Sequence, residues 1–132
     1  MGDGRRGAVQ QAELPGSRSA PIIARLRATA ERALALNPDQ PVALRTLAIL
    51  LGKHDYNATA AETLFKRALR TLPHYTSARI NYAELLTLEG KYDDALSQLN
   101  LAELYDPLSP SVHLARAFCL FYQRRYDEAR AS

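Results

Sequence analysis

The stretch GKYDDALSQLNLAELYDPLSP, Gly90 to Pro110, decides how this chain is read, because its opening returns 34 residues later as RRYDEARAS, Arg124 to Ser132. Tyr92 and Tyr126 stand 34 apart, as do Ala95 and Ala129. Working back, Ala61 precedes Ala95 by 34, Ala68 precedes Ala102 by 34, and Pro73 precedes Pro107 by 34. One step further back the interval is 35: Ala33 to Ala68 and Pro38 to Pro73. A fixed period of this length is the mark of a structural repeat. The extra residue of the earlier unit is expected within GKHDYN, where a turn absorbs it.

Each unit reads as two helices. Ala78, Tyr82, Ala83, Leu85 and Leu86 recur at helical spacing, and Gly90 with Lys91 ends that stripe. Tyr92, Ala95, Leu96, Leu99, Ala102 and Leu104 form a second stripe, which Pro107 stops because proline cannot continue the ladder. Asp93 and Asp94 fall in its first turn, where carboxylates favour the positive end of the helix dipole. On this pattern the units span about 41–75, 76–109 and 110–132. A lone second-type helix at 21–37 precedes them, behind a basic, disordered arm at 1–20 in which Pro15 and Gly16 allow only a short, broken helix. Close helix crossings need small side chains. Ala48, Ala83 and Ala117 supply them on first helices; Ala61, Ala95 and Ala129 open the second helices, and Ala33, Ala68 and Ala102 close them.

Composition bounds the function. With 47% apolar and 23% charged residues the balance is that of a globular protein. The apolar run Leu47 to Leu51, like Ala117 to Tyr122, is far too short to span a membrane, and no apolar stretch follows Arg5 and Arg6 as a secretory signal requires. A single cysteine, Cys119, makes no internal disulfide, so a cytoplasmic location is expected. The net charge of +3 lies entirely in residues 1–36, since residues 37–132 carry eleven basic and eleven acidic side chains. A folded part without clustered cations argues against a nucleic-acid partner.

YDDALSQLNLAELYDP and AAETLFKRALRTLP, together with the period, resemble the tetratricopeptide repeat over residues 21–132. No Trp opens any unit, and Ala48, Ala83 and Ala117 stand where that family usually has glycine. The pentatricopeptide repeat, with a 35-residue period and RNA as ligand, lacks this alanine and proline spacing and would want a basic groove. The resemblance implies an all-α fold, a right-handed superhelix or α-solenoid of antiparallel helix pairs, whose first helices line a concave groove. It also implies a non-catalytic protein-binding adaptor with no cofactor, metal or small-molecule substrate. Carried over position by position, the groove comprises Arg45, Ile49, Ile80, Asn81, Glu84, Leu88, Leu114, Phe118 and Phe121. Arg45 and Asn81 occupy two places of a carboxylate clamp found in some relatives, but Ile49, Ser111 and Ala115 occupy three others. A mainly apolar groove calls for an apolar helix or extended segment as ligand. The alternative is that Ile49, Ile80 and Leu88 are core, as helical apolar stripes usually are.

Other chemistry finds little support. His54, His74 and His113 lie 20 and 39 residues apart with no further ligand at metal spacing. Cys119 has no poised base, and no phosphate-binding glycine loop or nucleophile elbow occurs. Asn57-Ala58-Thr59 is formally a glycosylation sequon; as helix-start polarity, it sets Thr59 and Glu62 at capping-box spacing. The final unit holds one first helix, Ser111 to Gln123, and only the start of a second. Val112, Ala117 and Leu120 are therefore expected to form an open face, so that the chain is either a piece of a longer array or uses this face to bind itself or a partner. An alternative function follows from this: a regulatory or self-assembly module. LYDPLSPSV and YQRRYDEA resemble, over about thirty residues, the arrays attached to bacterial winged-helix regulators and cyclases.

Overall fold

A computed structural model describes residues 15–131 of the 132-residue chain, with side chains from residue 19 onward. Among these residues the fold is all-α, a helical repeat without strands. The helices are α1 (Pro15–Leu36), α2 (Pro41–Ile49), α3 (Ala58–Thr71), α4 (Thr76–Leu88), α5 (Tyr92–Tyr105) and α6 (Pro110–Ala131). A π-helical turn, Leu50–His54, continues α2.

The repeat is visible in the backbone hydrogen bonds of the turns that close each unit. Gln40 N donates to Asn37 O at 3.1 Å, Tyr75 N to Leu72 O at 3.1 Å, and Ser109 N to Asp106 O at 3.2 Å. Pro38, Pro73 and Pro107 sit inside these turns, each just after the last helical hydrogen bond. The starts of α2 and α6 are capped by side chains, Gln40 Oε1 accepting from Ala43 N and Ser109 Oγ from Val112 N, whereas Tyr75 and Lys91 precede α4 and α5 without a side-chain cap. The start of α3 differs from the expected Thr59–Glu62 capping box. Asn57 itself is the cap, accepting from Ala60 N at 3.2 Å, because α3 begins one residue after it.

Packing follows the alanines. Ala48, Ala61, Ala68, Ala83, Ala95 and Ala102 are all buried, so neighbouring helices meet closely along the array. Phe65, Leu86 and Leu99 fill the spaces between crossings. Phe65 stacks on Tyr82, centroids 5.6 Å apart, which ties α3 to α4. α1 packs on α2, and α6 packs on both α4 and α5.

The extra residue of the earlier unit is taken up where GKHDYN begins, in the π turn Leu50–His54, which accommodates one residue more than an α-turn. Two expectations are corrected. The first helix begins at Pro15, carrying Pro21 inside it, so the boundary drawn at residue 20 falls within α1; residues 1–14 lie outside the described residues. Finally, α6 runs unbroken through the position where α4 turns into α5. At that earlier turn Gly90 has φ +78°, and Gly90 N and Lys91 N close a Schellman motif on Thr87 O and Leu86 O. Thirty-four residues on stands Arg124, whose Cβ disfavours a left-handed backbone. The helix therefore continues, and Tyr126 to Ala131 prolong α6 instead of opening a new helix.

Candidate functional site

The clearest concavity is a cleft of about 360 Å³ between α2 with its π turn, the start of α3, and α4. Its lining includes Ala48, Phe65 and Leu85 at the apolar base and Lys53, Tyr56, Leu88 and Glu89 at the exposed mouth. The local sequence explains the shape. Ala48 and Ala61 are separated by one residue more than Ala83 and Ala95, and the π turn spends that residue widening the backbone. Gly52 lies in this turn, and a Cβ there would stand 3.2 Å from Leu85 Cδ1. Tyr56 then reverses the chain with φ 55°, an unusual conformation for a bulky residue, and its ring is exposed at the cleft. Asn57 N donates back to Leu51 O at 2.7 Å, pinning this reversal.

Of the groove residues expected from sequence, Ile49, Asn81 and Leu88 line the cleft. Leu88 is 57% exposed and so is not core, whereas Ile49 and Ile80 are half-buried and pack against the core. A polar row borders the apolar wall. Arg45 Nε donates to Asn81 Oδ1 at 2.6 Å, Asn81 Nδ2 to Glu84 Oε1 at 3.2 Å, and Lys53 Nζ lies 4.0 Å from the same carboxylate oxygen. The two clamp-like side chains, Arg45 and Asn81, are thus bound to each other, and Ala115 is buried. Leu114, Phe118 and Phe121 belong to α6 and do not line the cleft. Phe118 and Phe121 form an aromatic group with Tyr122, at centroid distances of 4.6 and 5.8 Å.

Sequence reasoning missed Gly52, Lys53, Tyr56, Phe65, Leu85 and Glu89 as cleft residues. The 35-residue interval was the available signal, because an inserted residue inside a helix marks a local widening. It also misplaced one surface residue. Val112 is fully buried against α4 and α5, so it cannot belong to an open face, while Ala117 and Leu120 are exposed.

The polar groups near the core are held rather than poised. Tyr82 Oη donates to Glu62 at 2.6 Å; burial, then this hydrogen bond and the carboxylate charge, push the phenol well above its usual range. Arg79 is buried and spends its guanidinium on Pro73 O and Gln98 Oε1. Cys119 is buried, with Sγ 3.7 Å from Tyr92 O. Among the described residues no group of three metal-ligating side chains gathers, and no helix is long and apolar enough to cross a membrane.

Residues 54–117, from the π turn into the first half of α6, match the family model described as tetratricopeptide repeat. This chain carries a tetratricopeptide repeat region. Such a region is in general a protein-interaction module, and its fold is typically non-catalytic. A Drosophila melanogaster protein named protein O-mannosyl-transferase Tmtc2 is 36% identical over 92 residues, a match covering 65% of this chain. The chain spans 10% of that relative's length. No solved structure matches the tetratricopeptide repeat chain significantly.

Proposed function

We propose that the chain is an adaptor that grips an apolar segment of another protein in the cleft between α2, its π turn and α4. The units at 41–75 and 76–109 form the two walls, and the location is cytoplasmic. The observation that carries this reading is Leu88, more than half exposed at the mouth of a cleft with an apolar base. A cleft of about 360 Å³ has room for large apolar side chains of a bound segment. The paired row Arg45–Asn81–Glu84–Lys53 beside it offers hydrogen bonds but little net charge, so recognition rests on shape. The aromatic group on α6 would extend the same surface, with Leu114, Phe118 and Phe121 as further contacts. The transferase activity in the relative's name belongs to a protein of which this chain covers a tenth, and it is not carried over.

The test is selection of a random-peptide phage library on the purified chain, with Leu88→Glu and Leu104→Glu variants run in parallel. Leu104 is an exposed apolar residue of α5 outside the cleft, so it controls for general stickiness. Selected peptides are expected to bind wild type and Leu104→Glu equally and to lose at least tenfold on Leu88→Glu. Equal binding to all three proteins would remove the cleft as the site.

A further inference from the structure

Among the described residues, two helix faces at opposite ends of the array are open, and they are complementary in kind. In α4, Ala83 and Leu86 are each 1% exposed because α5 packs over them. The same positions in α6, thirty-four residues on, are Ala117 and Leu120; Ala117 is exposed and Leu120 is 48% exposed. No helix among the described residues covers them, since α6 does not turn at Arg124. What such a face receives is seen within the molecule: α5 offers Ala95, Gln98 and Ala102, with Gln98 Oε1 accepting from Arg79 Nη1 to fix the register. Subtracting the two repeat intervals, 34 and 35, from those three positions gives Leu26, Thr29 and Ala33 of α1. With Ile22 and Leu36 these lie at spacings of four, three, four and three, one stripe along the helix. Leu26 is 46% exposed, and Ile22 and Leu36 are more so. α1 is thus a second-type helix lacking a first-type partner among the described residues, and α6 is the reverse. Each is 22 residues long, against 13 and 14 for the pair α4–α5.

We infer that α6 of one copy receives α1 of a second copy, building between two molecules the helix pair that α4 and α5 build within one. Ala117 then meets Leu26 of the second copy, Leu120 meets its Ile22, and His113 lies beside its Thr29. The contact is head-to-tail, so a dimer retains one open α1 face on one chain and one open α6 face on the other, and assembly extends beyond it. This assembly is independent of ligand binding in the cleft.

The experiment is light scattering across a concentration series of the 14.7 kDa chain, with the variants Leu26→Glu and Leu120→Glu. Both side chains are about half exposed, so both variants should fold, and circular dichroism checks that they do. Wild type is expected to rise in mass with concentration. Each variant alone should remain a single chain, and an equimolar mixture of the two should reach twice that mass, because one surviving face of each kind is present. Wild type at the single-chain mass throughout would overturn the inference. So would Leu26→Glu self-associating like wild type, which would mean that α6 pairs with itself. Should either variant fail to fold, Thr29→Arg and Ala117→Arg at exposed positions carry the same test.

Discussion

At the residue scale, two positions that end a helix with left-handed backbone do the same work with different chemistry. Gly90 adopts φ +78° freely, whereas Tyr56 adopts φ 55° against the clash of its Cβ. Tyr56→Gly should therefore stabilise the fold by about 0.5–1 kcal/mol, the left-handed penalty less the added unfolded-state entropy. A higher urea midpoint with unchanged slope is the expected signature. Tyr82 adds a dependence on pH. Its phenol is raised in the folded state, first by burial and then by the hydrogen bond to Glu62, so the unfolded chain releases this proton first. Stability from this group is complete below the ordinary tyrosine range, near pH 10, and falls as pH rises beyond it. Tyr82→Phe should lose about 1 kcal/mol at neutral pH and show a shallower alkaline decline. Unfolding free energies measured between pH 8 and pH 11 check both parts.

At the scale of the element, the period was legible because prolines and alanines recur at fixed spacing, and each marks a physical need, a stop or a close crossing. What spacing did not reveal is backbone detail where the pattern fails. RRYDEARAS copies the side chains of a helix start, yet it lacks the one residue, glycine, that allows the chain to turn before it. Those side chains therefore ride on the extension of α6, where Tyr126 reaches Tyr92 with centroids 6.1 Å apart. The cleft was legible only in part for a related reason. Ile49, Asn81 and Leu88 follow from the tetratricopeptide resemblance carried over by position. Gly52, by contrast, lies in the π turn and Tyr56 just beyond it, where the 35-residue interval marks an extra residue without fixing how the backbone takes it up. Arg124→Gly should cost α6 about 1 kcal/mol locally, and amides 126–131 should then exchange markedly faster than in wild type. Unchanged protection there would show that the helix beyond Arg124 is held by contacts other than its own backbone.

At the scale of the whole molecule, one continuous core runs from Ala48 on α2 to Cys119 on α6, and α1 lies outside it. In a linear array each unit is stabilised by its neighbours, so the ends open first. Hydrogen exchange should show α1 as least protected and α4–α5 as most protected, with protection of α1 rising with protein concentration where copies join end to end. Leu99→Ala, at the centre of that core, should destabilise the fold by about 2–5 kcal/mol. The cleft lies near the middle of the array, between elements anchored on both sides, which suits a site that must hold its shape before a ligand arrives.

The most direct test of that site is to map a library-selected peptide onto the chain by amide and methyl NMR shifts. Binding in the cleft predicts the largest changes at Ile49, Gly52, Lys53, Asn81 and Leu88, with smaller ones on Phe118 and Phe121. Changes confined to the outer faces of α3 and α5, with the π turn unmoved, would contradict it.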